Sequence, residues 1–102
     1  MKYITDLDVD VIGEKWDTGF QRRYDPKEKR CILEYLRRFP PYILTTAQAE
    51  DPFTHKKVGE ADFGYSDGEY TWYETEIYCL EKYDLALTDE FLTYIRKKLN
   101  LG

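Results

Sequence analysis

Residues 58–83, VGEADFGYSDGEYTWYETEIYCLEKY, contain the change of period on which the fold turns. Ala61, Phe63 and Tyr65 share one face of an alternating stretch whose other face is Glu60, Asp62 and Gly64, the pattern of a strand. Ser66, Asp67 and Gly68 follow as a turn, and an Asp-Gly pair favours a tight connection, so a further short strand is expected around 69–71. Thr71 and Glu74 then stand at capping-box spacing, which predicts a helix over 72–83 with Tyr73, Ile77 and Leu80 inward.

Upstream, Ile43, Leu44, Thr45 and Thr46 make a β-favouring run over 42–49, ended by Asp51 and Pro52. Pairing it with 58–65 gives a hairpin whose loop is 51–57. Before it, Asp25 caps a helix with Pro26 at the first position and Glu28 three residues after the cap. Ile32, Tyr35, Leu36 and Phe39 recur at helical spacing until Pro40 and Pro41 stop the helix. At the start, Asp6, Asp8 and Asp10 alternate with Leu7, Val9 and Val11, which predicts an exposed strand over 4–12. A loop through Gly13, Trp16 and Gly19 follows it.

Downstream, Thr88 caps a last helix. Leu87 and Leu92 clasp its first turn, and Phe91, Leu92, Ile95 and Leu99 form its apolar stripe. Arg96, Lys97 and Lys98 complement the carbonyl end of its dipole. The expected architecture is one α+β domain over 1–102, a small antiparallel sheet of three to four strands packed with three helices.

The 102 residues are 42% hydrophobic and 17% aromatic, enough for a core. No apolar run approaches the ~18 residues of a membrane span, and residues 1–6 lack a secretion signal's apolar stretch, so a soluble cytoplasmic chain is expected. Cys31 and Cys79 have no metal-ligand spacing and read as reduced core thiols. His55 and Ser66 are the sole histidine and serine, both in expected turns, without nucleophile-elbow glycines. Gly59, Gly64 and Gly68 make no phosphate-binding pattern. Asp6, Asp8 and Asp10 lack the glycine of a calcium loop. No cofactor, metal site or catalytic residue is expected.

Charge is uneven. The net charge is −5, which argues against a phosphate-backbone binder and suits a basic partner. From 59 to 90 there are ten acids against Lys82 alone, a local balance of −9, with seven of the seventeen aromatics in the same window. Acids and rings together suit a protein-binding face. The residues expected to form it are Asp62, Asp67, Glu69, Tyr70, Trp72, Glu74, Glu76 and Tyr78. Residues 22–38 hold seven bases against three acids, without the aromatic interleaving of a nucleic-acid surface, and read as a solvated helix face.

Asp67, Gly68, Glu69, Tyr70, Thr71 and Trp72, followed by 76–84 and the helix from Asp89, resemble the C-terminal part of small bacterial toxin-immunity proteins of the contact-dependent inhibition and polymorphic-toxin type. The resemblance covers the last third of the chain. It implies neutralisation of a cognate basic toxin, such as a nuclease, by occupancy and not turnover. A non-catalytic adaptor or regulator is the alternative expectation. Oligomeric state is not fixed by the sequence.

Overall fold

The structure, a computed structural model, describes residues 1–7 and 21–100. The elements follow the expected order: β1 (Lys2–Tyr3), α1 (Pro26–Leu36), β2 (Gly64–Ser66), β3 (Tyr70–Tyr73), α2 (Glu74–Tyr83) and α3 (Asp89–Lys98). This is the α+β class read from the sequence. The sheet order is β1-β3-β2. The sheet is mixed and not wholly antiparallel: β1 runs parallel to β3, with Tyr3 opposite Thr71, while β2 pairs antiparallel, with Tyr65 opposite Trp72. The strand expected over 4–12 falls mainly on residues outside the described ones. Among those described, pairing lies earlier, at Lys2 and Tyr3.

Helix α1 starts as expected, with the Asp25 carboxylate accepting the Glu28 N–H at 3.1 Å. It ends at Leu36, before Phe39, because a residue preceding proline is pushed out of helical geometry. Phe39 still reaches the core, its ring 5.8 Å from that of Trp72 and 5.1 Å from that of Tyr35. Helix α2 begins at Glu74, two residues after the expected start. Thr71 and Trp72 are claimed by β3, and the indole N–H of Trp72 donates to the Leu36 carbonyl at 3.1 Å, stapling the sheet to the end of α1. Tertiary pairing thus overrides the Thr71–Glu74 capping spacing. Helix α3 is capped as read, Thr88 Oγ1 accepting the Phe91 N–H at 3.0 Å, with Leu87 and Leu92 buried beside it.

The hairpin of 42–49 with 58–65 is present as an irregular pairing. Bridges join Ile43 to Gly64 and Glu50 to Lys57, and the Asp62 N–H donates to the Ala47 carbonyl at 2.8 Å. Tyr42 and Ile43 both donate to the Gly64 carbonyl, at 2.9 and 3.2 Å, so two residues oppose one and the ladder is bulged there. Gly64 must be glycine: a Cβ would lie 2.8 Å from the Cβ of Ile43.

Alternation along β3 sends Tyr70 and Trp72 to one side of the sheet, where the helices cover them, and Thr71 and Tyr73 to the other. Tyr70 packs on α3, 4.9 Å from Phe91, and Trp72 on α1. The core gathers Ile4, Ile32, Leu36, Ile77, Leu80, Leu85, Phe91 and Ile95 around them. No described helix is long and apolar enough to cross a membrane.

Candidate partner-binding face

Many acids of the 59–90 window are engaged by other groups of the same chain. Four pair with bases from the rest of the chain: Glu81 with Arg37 at 2.9 Å, Asp84 with Lys29 at 2.6 Å, Asp89 with Arg22 at 2.7 Å, and Glu90 with Lys2 at 2.7 Å. The −9 of the linear count therefore does not become a surface of that charge. The bases of the expected solvated face, Lys29 and Arg37 among them, are the counterions.

Asp67 is a second kind of sink. Its Oδ1 accepts the N–H groups of Glu69 and Tyr70, each at 2.9 Å, and its Oδ2 accepts the hydroxyls of Tyr35 and Tyr94, each at 2.6 Å. One carboxylate thus ties the β2–β3 turn to α1 and α3. Burial pushes its pKa up, but the four hydrogen bonds outweigh burial and bring it down to about 2. The same burial and hydrogen bonding push the Tyr35 hydroxyl far up.

Asp51 repeats the device in the other loop. Its Oδ1 accepts the N–H groups of Phe53 and Thr54 at 2.8 and 2.9 Å, and its Oδ2 accepts the hydroxyls of Tyr78 and Tyr83 of α2 at 2.6 and 2.5 Å. Burial opposes its ionisation, and the two tyrosines and two amides prevail, holding it well below the usual carboxylate range. Tyr78 is pushed up to about 12 by burial and by Asp51. The shared spacing, an aspartate bonding the amides two and three residues on, is legible in Asp51-Pro52-Phe53-Thr54 as in Asp67-Gly68-Glu69-Tyr70. Their tyrosine partners, far away in the chain, are not.

The eight residues expected to form one outward face are therefore dispersed. Tyr70 is 2% exposed and Trp72 wholly buried, a correction that follows from strand alternation. Tyr78 is half-buried on Asp51, and Glu74 accepts the Tyr65 hydroxyl. Glu69 is exposed, at the turn of Asp67. Asp62 and Glu76 do come together, at the start of α2. Glu76 is buried and accepts the Tyr73 N–H at 3.1 Å, and Asp62 accepts the Thr75 N–H at 2.9 Å, both satisfying amides that the first helical turn leaves open.

These two carboxylates border a cavity of about 600 Å³ on the face of the sheet that carries Tyr73. Asp6 adds a third carboxylate, Tyr3 and Tyr73 line it with rings, and Leu7, Ile43 and Ala47 with apolar groups; no described lining residue is basic. The Tyr73 hydroxyl is raised above its ordinary pKa, first by burial and then by the neighbouring Tyr3, Tyr42, Glu76 and Asp62. It stays protonated at neutral pH, as a hydrogen-bond donor beside the acids. Among the described residues the exposed large hydrophobics are Met1, Tyr3, Tyr42 and Leu44, of which Tyr3 lines this cavity.

Sequence reasoning placed the site in the acid-rich window and missed Tyr3, Asp6, Tyr73 and Ile43. The available signal was the outward register of Thr71 and Tyr73 once Tyr70 and Trp72 are taken inward.

His55 and Ser66 are engaged separately. His55 lies 3.9 Å from Glu50, and Ser66 Oγ sits 2.8 Å from the Met1 sulfur. Both cysteines are free, and burial pushes Cys79 up to about 12. No group of His, Cys, Asp and Glu suited to a metal ion occurs among the described residues. The sequence matches no protein-family model, no curated protein and no solved structure.

Proposed function

We propose that this chain is a non-catalytic, cytoplasmic protein-binding domain of the toxin-immunity type, which neutralises a cognate basic toxin through the face of its sheet that carries Thr71 and Tyr73. The observation that carries the reading is the cavity lined by Asp6, Asp62, Glu76, Tyr3 and Tyr73, with no base among its described lining residues. Carboxylates speed encounter with a positive partner and orient its lysines and arginines. Tyrosines supply contact area with few torsions to freeze. Inhibition is by occupancy, and no bond is made or broken. The resemblance of 67–72, 76–84 and the helix from Asp89 to immunity proteins suggests the biological setting.

Calorimetric titration against the product of the adjacent toxin gene tests it. Asp6 and Tyr3 are exposed, so Asp6→Lys and Tyr3→Ala spare the fold, and each weakens binding by about tenfold or more. Glu69→Lys, at the far end of the β2–β3 turn, leaves affinity unchanged. Absence of binding, or a loss confined to Glu69→Lys, rejects the reading.

A further inference from the structure

Two carboxylates in the wall of the Tyr73 cavity are held in place by the backbone. Asp62 gives its Oδ1 to the Thr75 N–H at 2.9 Å, and Glu76 gives its Oε1 to the Tyr73 N–H at 3.1 Å, so the first turn of α2 fixes both side chains. The Oδ2 of Asp62 and both oxygens of Asp6 accept no hydrogen bond from a described residue, and neither side chain pairs with a described base. That sets them apart from Asp51 and Asp67, whose two oxygens are both occupied, and from the acids that pair with a lysine or arginine of the same chain. The rest of the lining is of two other kinds: Tyr3 and Tyr73 bring rings, and Leu7, Ile43 and Ala47 bring hydrocarbon. At about 600 Å³ the cavity is of a size that encloses a ligand group.

On the partner-binding reading of this face, on which the inference rests, we propose that the cavity is an arginine pocket, enclosing the guanidinium of one arginine side chain of the partner. Three features of the lining select that group. Carboxylates surround a space with no described base, which calls for a cation. They stand on separate segments, at Asp6, at Asp62 and in α2, which suits a guanidinium, whose N–H donors fan out in a plane, better than an ammonium, whose donors share one point. Rings and hydrocarbon line the same space. A guanidinium is weakly hydrated and stacks on tyrosine, and its methylene stem packs on apolar groups. An arginine seated in a recess is a common anchor of a protein interface.

The probe is Nα-acetyl-arginine amide, compared with Nα-acetyl-lysine amide of equal charge, each titrated into the full ¹⁵N-labelled chain to about 50 mM at constant ionic strength. The arginine probe produces saturable shifts at the amides of Asp62, Tyr73 and Thr75, and the lysine probe binds about fivefold more weakly or less. Asp62→Asn keeps an oxygen for the Thr75 N–H, and Asp6 is exposed, so Asp62→Asn and Asp6→Asn each weaken arginine binding about threefold or more with an unchanged thermal midpoint, while Glu69→Gln, outside the cavity, leaves it as it is. Shifts that never saturate, a lysine probe that binds as tightly, or indifference to Asp62→Asn overturns the proposal. The toxin reading fails separately. A toxin that binds this face while the arginine probe does not overturns the arginine pocket alone; a probe that binds here while the toxin does not upholds the pocket and rejects the toxin as the source of the arginine.

Discussion

The two sides of the β1-β3-β2 sheet hold the same residue types in different settings. On the helix side, aromatic rings and carboxylates are locked together: Tyr70 and Trp72 are buried, and Asp67 holds Tyr35 and Tyr94 through its Oδ2. On the other side, Tyr3 is 64% exposed, and Asp6, Asp62 and Glu76 border an open cavity. A stretch rich in acids and tyrosines is not thereby a binding surface, because a carboxylate that accepts tyrosine hydroxyls and loop amides is as much a structural bolt as a hydrophobic contact is. What separates the two sides is the burial of the rings: Tyr70 and Trp72 are covered by the helices, while Tyr3 is exposed and Tyr73 half-buried.

Substitutions should reproduce that contrast, with large losses of stability on the helix side and small ones on the other. Trp72→Ala removes a wholly buried indole and the bond to Leu36, and should cost about 3–5 kcal/mol in chemical denaturation. Asp67→Asn keeps the shape but loses the charge that four donors converge on, and should cost about 2–3 kcal/mol.

The pH dependence sharpens the same point. The Asp67 pKa is lowered by folding from an ordinary 3.8 to about 2, so its contribution is complete above about pH 4 and is lost as pH falls through about 2. Stability of the wild type measured against pH should therefore fall in that window, and Asp67→Asn should flatten the fall. Asp51, also lowered, retains its own share.

Gly64→Ala drives a Cβ to within 2.8 Å of Ile43 and should cost about 1–2 kcal/mol by thermal or chemical denaturation. Tyr3→Ala, at the open side, should stay within about 0.5 kcal/mol of wild type while weakening partner binding. A Tyr3→Ala loss as large as that of Asp67→Asn would erase the distinction between the two sides.

Much of the fold was legible because it rests on local rules. The Asp25 and Thr88 caps, the stripes of α1 and α3, and the strand-turn-strand around Asp67-Gly68 each depend on residues within a few positions of one another. The start of α2 was misplaced where a local rule met a distant demand: Thr71 and Trp72 suit a capping box, but Trp72 is needed under Leu36. Parallel pairing of β1 with β3 was hidden for the same reason, since its register joins residues nearly seventy positions apart, Lys2 with Tyr70.

The candidate site was the least readable part. The composition of the window makes surface rings of Tyr70 and Trp72, with Trp72 placed in the helix; only once β3 extends to Tyr73 do the two share a side, and the local pattern does not tell which side the helices cover. The ion pairs of Arg22, Lys29 and Arg37 with the acidic window are likewise invisible to any local count, although the basic excess in 22–38 was the matching half of the signal.

The most direct test of the account is an NMR titration of the ¹⁵N-labelled chain with its cognate basic toxin, following the backbone amides on both sides of the sheet. The account predicts that Tyr3, Asp6, Thr45 and Tyr73 shift first and most, with the Asp67 turn and the amides of α3 largely unmoved. Shifts concentrated at Glu69, Asp89 and Glu90, with the Tyr3 and Tyr73 amides silent, would contradict it.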